Sequence, residues 1–271
     1  MKTNIKLNAT LILSLMLIFF AACGDDNPQS PTPEVTEAQK YMAKDVAKFT
    51  QKGTDKTGGK EVAIPDSTME LERTLISIEG NKYSYEIKGN KVQNEHFLVE
   101  EKRIFQYFYL PLINENETVE YLVPILDLNL TGTRTYKDTI IKVKVDLKDM
   151  EIPAKINLDV NFKSELTANG TKTVKLNGND ASVVSYTSKN TFTIKINDPL
   201  IAITFPEYNN KLISSGSYEN ENYFTAKDNL GIIWQNKIYK IYDEISEPGS
   251  SKEQLYQEIT RRLNSLTLKE N

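Results

Sequence analysis

The chain has 271 residues, 33 basic against 37 acidic side chains and a formal charge of −4, a mixed, mildly acidic balance that argues against nucleic acid as a partner. Its single cysteine and single histidine exclude a disulfide framework and a zinc site built from thiolates and imidazoles, and no cofactor is expected. Stability has to come from an ordinary apolar core.

In chain order, Lys2 and Lys6 form a positive n-region, Leu11 to Phe20 an apolar core broken by Ser14, and Ala21-Ala22 a small-residue exit. These are the three parts of a secretory signal, and the apolar core falls short of the roughly 20 residues that span a bilayer. The run Phe20-Ala21-Ala22-Cys23 resembles the lipobox of bacterial lipoproteins, with Phe20 where Leu is usual. The resemblance implies that residues 1–22 are cut away, that Cys23 receives a diacylglycerol and its freed amine a further acyl chain such as palmitate, and that the membrane is reached through the acylated Cys23. At roughly 0.8 kcal/mol per buried CH₂, such an anchor is effectively permanent.

Gly24 stands where many inner-membrane lipoproteins carry Asp, and Asp25-Asp26 resembles surface-export signals. The resemblance therefore implies an outer-membrane protein facing the periplasm or the cell surface. Residues 23–36 read as a tether that Pro28, Pro31 and Pro33 keep semi-extended. Loss of Lys2 and Lys6 with the leader leaves 31 basic against 37 acidic side chains, a charge of −6.

Residues 37–271 are expected to form one β-rich domain. Ala38, Tyr41, Met42, Val46 and Phe49 recur at helical spacing, Thr36 with Gln39 suggests a capping box and Gly53 a stop, so a helix is expected over 37–52. A loose segment, 53–67, follows. Within it Gly53 to Glu61 superficially suggests a phosphate-binding loop, but Gly59 precedes Lys60, Glu61 replaces the required Ser or Thr, and no strand leads in. From about 68 to 242 the period becomes two. Ile141, Val143, Val145 and Leu147 alternate with Lys142, Lys144, Asp146 and Lys148, and Ile156, Leu158, Val160 and Phe162 alternate with polar residues.

Gly80-Asn81, Gly89-Asn90, Asn169-Gly170 and Asn177-Gly178 signal tight hairpins, so the fold class is mainly β: an antiparallel meander of ten to twelve strands forming a half-barrel or sandwich. Ser250 with Glu253, followed by Leu255, Ile259, Leu263 and Leu266, predicts a closing helix over 251–268. The two helices would be amphipathic and flank the sheet.

For chemistry, His96 reads as structural, and Glu100, Glu101, Glu115 and Glu117 are the kind of carboxylates any acidic protein offers. Lys142, Lys144, Lys148, Lys155 and Lys163 read as a solvated, edge-protecting face. The densest apolar run is Ile104 to Leu110. Its Phe105, Tyr107 and Tyr109 are candidates to face a ligand, although such a strand is commonly buried on both sides.

Tyr223 to Ile233, preceded by Val174 to Tyr186 with its Asn177-Gly178 turn, resembles a strand-turn-strand of uncharacterised β-rich bacterial lipoproteins. The order of an amphipathic helix ending in Phe49-Thr50-Gln51-Lys52 and then a long sheet is similar to the half-barrel lipid carriers of the bacterial envelope. That likeness implies an aliphatic cavity lined by the Ile141 to Phe162 residues, which would otherwise pack against the helices. The expected function is a non-enzymatic binding or carrier role, for an apolar ligand or an envelope partner. A surface adhesin or fimbria-like subunit, and a carboxylate-dependent hydrolase, are the alternatives.

Overall fold

The computed structural model describes residues 36–44, 46–64, 69–111, 118–146, 155–176, 179–226, 231–243 and 252–267. The expected leader, Cys23, Asn177-Gly178, Leu147, Lys148, Glu115, Glu117 and Pro248 to Ser250 lie outside them. Thirteen strands follow in order: β1 Val46–Asp55, β2 Val62–Ala63, β3 Met69–Glu79, β4 Lys82–Lys88, β5 Val92–Val99, β6 Arg103–Pro111, β7 Thr118–Asp127, β8 Thr133–Asp146, β9 Lys155–Leu176, β10 Asn179–Ile196, β11 Leu212–Thr225, β12 Gly231–Asp243 and β13 Lys252–Thr267. One α-helix among the described residues, α1 Pro199–Thr204, joins β10 to β11.

All strands belong to one antiparallel sheet ordered β7-β6-β5-β4-β3-β1-β13-β12-β11-β10-β9-β8, with β2 attached to β1. The sheet rolls into an almost closed barrel. Its β7 edge lies over β9 and β10, where Tyr121 stacks on Phe162 at 3.8 Å and the Tyr186 hydroxyl donates to the Asp127 carbonyl at 3.0 Å. The expected alternation holds: Val145, Leu158, Val160 and Phe162 are buried while Lys142 and Lys144 are exposed. Their packing partner is the rolled edge of the same sheet rather than a helix. From Thr36 onward the chain forms one compact unit around a continuous apolar core.

Both expected flanking helices are corrected. Residues 46–55 and 252–267 are strands β1 and β13, and they pair with each other in the middle of the sheet, Phe49 opposite Leu263 and Gln51 opposite Arg261. The reason is a degeneracy of spacing. Leu255, Ile259 and Leu263 are four apart, and four is both one helical turn and two strand periods. What separates the readings is the i+2 position. Here it is Gln257 and Arg261, polar residues that look like the wet side of a helix until the barrel interior is seen to be polar at that level.

The start of the expected N-terminal helix survives as a single 3-10 turn, Ala38–Tyr41, in which the Gln39 side chain accepts from the Thr36 backbone N–H at 2.8 Å. This turn closes one end of the barrel. Ala38, Met42 and Ala43 are buried there, Tyr41 meets Phe224 edge-on, and the Tyr85 hydroxyl donates to the Ala43 carbonyl at 2.6 Å. The described part of segment 53–67, residues 53–64, is not loose: Gly53 to Asp55 belong to β1, and a turn at Thr57–Gly59 is tied to β13 by Gly58 N–H donating to Glu253 at 2.9 Å and by a Lys56–Glu258 ion pair at 2.8 Å.

Asn169-Gly170 is not a hairpin turn. β9 runs through it, and the register shifts by one residue opposite Ser185/Tyr186, a bulge in which Gly170 takes φ +83°. Gly231 opens β12 at φ +65°, and a Cβ there would stand 2.7 Å from the Tyr41 carbonyl oxygen and 2.8 Å from the Ala43 nitrogen. Gly231→Ala is therefore expected to lower stability by about 2–3 kcal/mol, from left-handed strain and displacement of the closing turn. In urea unfolding the midpoint should fall with the slope unchanged.

Candidate functional site

Side chains at alternate positions of β5, β6 and β10 to β13 point into the barrel and line a half-open cavity of about 730 Å³, within the range of small-molecule sites. Its level is set by register. Tyr218 pairs with Tyr239, Gln235 with Arg261, and Ile241 with Leu255, which places Ile241, Leu255 and Phe192 toward the end opposite the closing turn and Lys237 and Arg261 deeper.

An aromatic row crosses the interior. Phe162, Tyr121, Phe108, Tyr218 and Tyr239 stack in succession across β9, β7, β6, β11 and β12, with centroid spacings of 3.8, 5.8, 4.8 and 4.9 Å. The last three rings line the cavity. Beside the row, Gly216 gives room to Phe192, another cavity residue, whose ring lies so close over it that a Cβ would come within 2.5 Å.

The floor is ionic. Glu95 on β5 accepts from Arg261 on β13 at 2.5 Å and pairs with Lys237 on β12 at 3.7 Å, so the three side chains join opposite walls of the barrel. All are nearly enclosed: 13% of Glu95, 13% of Arg261 and 6% of Lys237 side-chain surface is exposed. Arg261 also donates to Gln51 at 2.7 Å, and the buried Arg73 guanidinium on β3 sits over Phe49 and Tyr85. Burial opposes ionisation of Glu95, but the charges of Arg261, Lys237 and Arg73 outweigh it and hold the carboxyl down to about 2. Burial, reinforced by repulsion from Arg261 and only partly opposed by Glu95, pushes the Lys237 amine down to about 8. Gln106, also buried and lining the cavity, has a side-chain oxygen with no hydrogen-bond partner among the described residues.

No protein-family model, curated protein or solved structure matches this chain.

The expected ligand-facing residues lie elsewhere. Phe105 and Tyr107 occupy the outer face of β6. There Phe105 meets Tyr136 edge-on and Tyr107 meets His96 edge-on, with Lys82 over its ring at 5.1 Å. They line a separate hollow of about 580 Å³, and Tyr107 also reaches the rim of the interior cavity. Tyr109 pairs with Glu120 through its backbone, and its side chain lies outside the described set. His96 shares a hydrogen bond with Ser84 at 2.9 Å on the outer face. Glu100 pairs with Arg103 at 2.5 Å in the β5–β6 turn, and Glu101 lends its carbonyl to the Ala38 N–H.

Glu95, Lys237 and Arg261 went unread in the sequence, yet two of them left a signal. Glu95 falls in phase with Phe97 and Val99, and Lys237 in phase with Tyr239 and Ile241. A charge at the buried phase of a strand has to be paired across the interior.

Proposed function

We propose that this chain is a membrane-anchored lipoprotein of the bacterial outer membrane whose barrel binds or carries a small, largely apolar ligand without transforming it. The observation that carries this reading is the interior cavity of about 730 Å³, walled by aromatic and aliphatic side chains on one part and by polar and charged ones on another, a size and mixture that suit a small-molecule site. The Glu95 carboxyl, held at about 2, keeps no proton to donate near neutrality and is a poor base, which favours binding over carboxylate-dependent hydrolysis. Exposed apolar residues gather on the β10–β11 connection at the same end as Phe192 and Ile241. They include Leu200, Phe205 and Ile203, the last 82% exposed, and they suit a protein that exchanges an apolar ligand with a bilayer.

The reading is tested by native mass spectrometry of residues 24–271 recovered from the envelope of the producing bacterium. A stoichiometric co-purifying small molecule is the expected result. Bare protein that releases sugars from envelope polysaccharide would replace the binding role with hydrolysis, and a ladder of oligomers would favour a structural subunit. The anchor is tested alongside it: a fatty-acid label should enter the wild-type chain and be lost from Cys23→Ser.

A further inference from the structure

The charges on the cavity floor do not cancel. Lys237 and Arg261 line the cavity with Glu95 as their carboxylate, two cations sharing one anion among the described residues. Tyr218 and Tyr239, the other titratable groups in the electrostatics of this cluster on β11 and β12, and Tyr85 on β4 are neutral near pH 7, since burial raises the pKa of each. Arg261 is already committed to Glu95 and Gln51. Lys237 makes a longer contact with Glu95, 3.7 Å, beyond hydrogen-bond length.

An excess positive charge in a nearly enclosed space is costly unless an anion answers it. Above this charge rise Phe192, Ile241 and Leu255 toward the far end. The charged floor and apolar shaft match the two ends of an amphiphile.

Building on the binding role proposed above, we infer that the cavity selects a single-chain amphiphile with an anionic head, carboxylate or phosphate. The head sits at Lys237 beside Arg261, and the chain runs along Phe192, Ile241 and Leu255. Ammonium and guanidinium groups both hold such oxygens through charge-assisted hydrogen bonds, and the aliphatic wall supplies affinity in proportion to the apolar area it covers.

Calorimetric titration of residues 24–271 with dodecanoate, dodecyl phosphate and dodecanol separates the possibilities. At least one of the two anions should bind tenfold or more tighter than the alcohol, and whichever binds better identifies the head. In Lys237→Met that preference should shrink to within threefold while dodecanol binding persists, and thermal unfolding should confirm that the variant remains folded. Because Lys237 titrates near 8 and must be protonated to receive an anion, dodecanoate affinity should fall by about tenfold per pH unit above 8, and dodecanol affinity should not. Equal binding of all three compounds would overturn the anionic head and leave the binding role standing. Binding of none of them would overturn both.

Discussion

Glu95→Gln is expected to destabilise the protein by about 3–5 kcal/mol, because it leaves Arg261 and Lys237 buried without the carboxylate that joins them. The loss should be partly reversed in Glu95→Gln with Lys237→Met, since removing the second charge relieves the repulsion, and the double-mutant cycle reads this coupling directly. Chemical denaturation of the four proteins at pH 7 is the measurement. Additive losses would mean that the cross-barrel contact contributes nothing. Acid should act in the same direction. With Glu95 held at about 2 against about 4.3 in an unfolded chain, the folded state binds fewer protons between those values. Its contribution is therefore fully present above about 4.3 and is lost as pH falls toward 2. Wild type should lose stability over that window, and Glu95→Gln should lack this part of the loss.

Tyr121 is expected to give the other large effect, and its two replacements should diverge in sign. The ring sits between Phe162 and Phe108 in the aromatic row and holds the β6–β7 edge against β9. Tyr121→Ala removes that bridge from a site 3% exposed and should cost about 3–5 kcal/mol. The hydroxyl is buried with no hydrogen-bond partner among the described residues. Tyr121→Phe should therefore be neutral or stabilising by about 1 kcal/mol, because a desolvated donor is removed while the stack is kept. Urea midpoints for the two variants check both statements, and a loss above 1 kcal/mol in Tyr121→Phe would mean that the hydroxyl is bonded. Opening of the edge in Tyr121→Ala should also weaken any ligand held in the cavity, since Phe108 lines both the row and the site.

How far the sequence could be read depended on whether a residue's environment is local. Strands such as Thr133–Asp146 and Lys155–Leu176 were legible because one face meets the core and the other water, so hydrophobicity alternates with the pleat. The Gly80-Asn81 turn was legible because Gly80 takes φ +59° between paired Glu79 and Lys82. Asn169-Gly170 carries the same dipeptide chemistry and was misread, because a bulge and a hairpin both require a residue at positive φ. Nothing in the dipeptide says whether the chain turns back afterwards.

The antiparallel β class was thus fixed by residues whose alternation is written in their immediate neighbours. Tertiary structure alone decided that β1 and β13 are strands, because their two-residue period passes through Gln51, Gln257 and Arg261. Burial of those polar groups is tolerated only where the rolled sheet brings partners to them. The same holds for the candidate site. Glu95 and Arg261 are 166 residues apart in sequence and stand on opposite walls, and neither strand alone carries any sign of the other. Their meeting depends on how far the sheet curls, which is set by the summed twist of the intervening strands and not by any one of them.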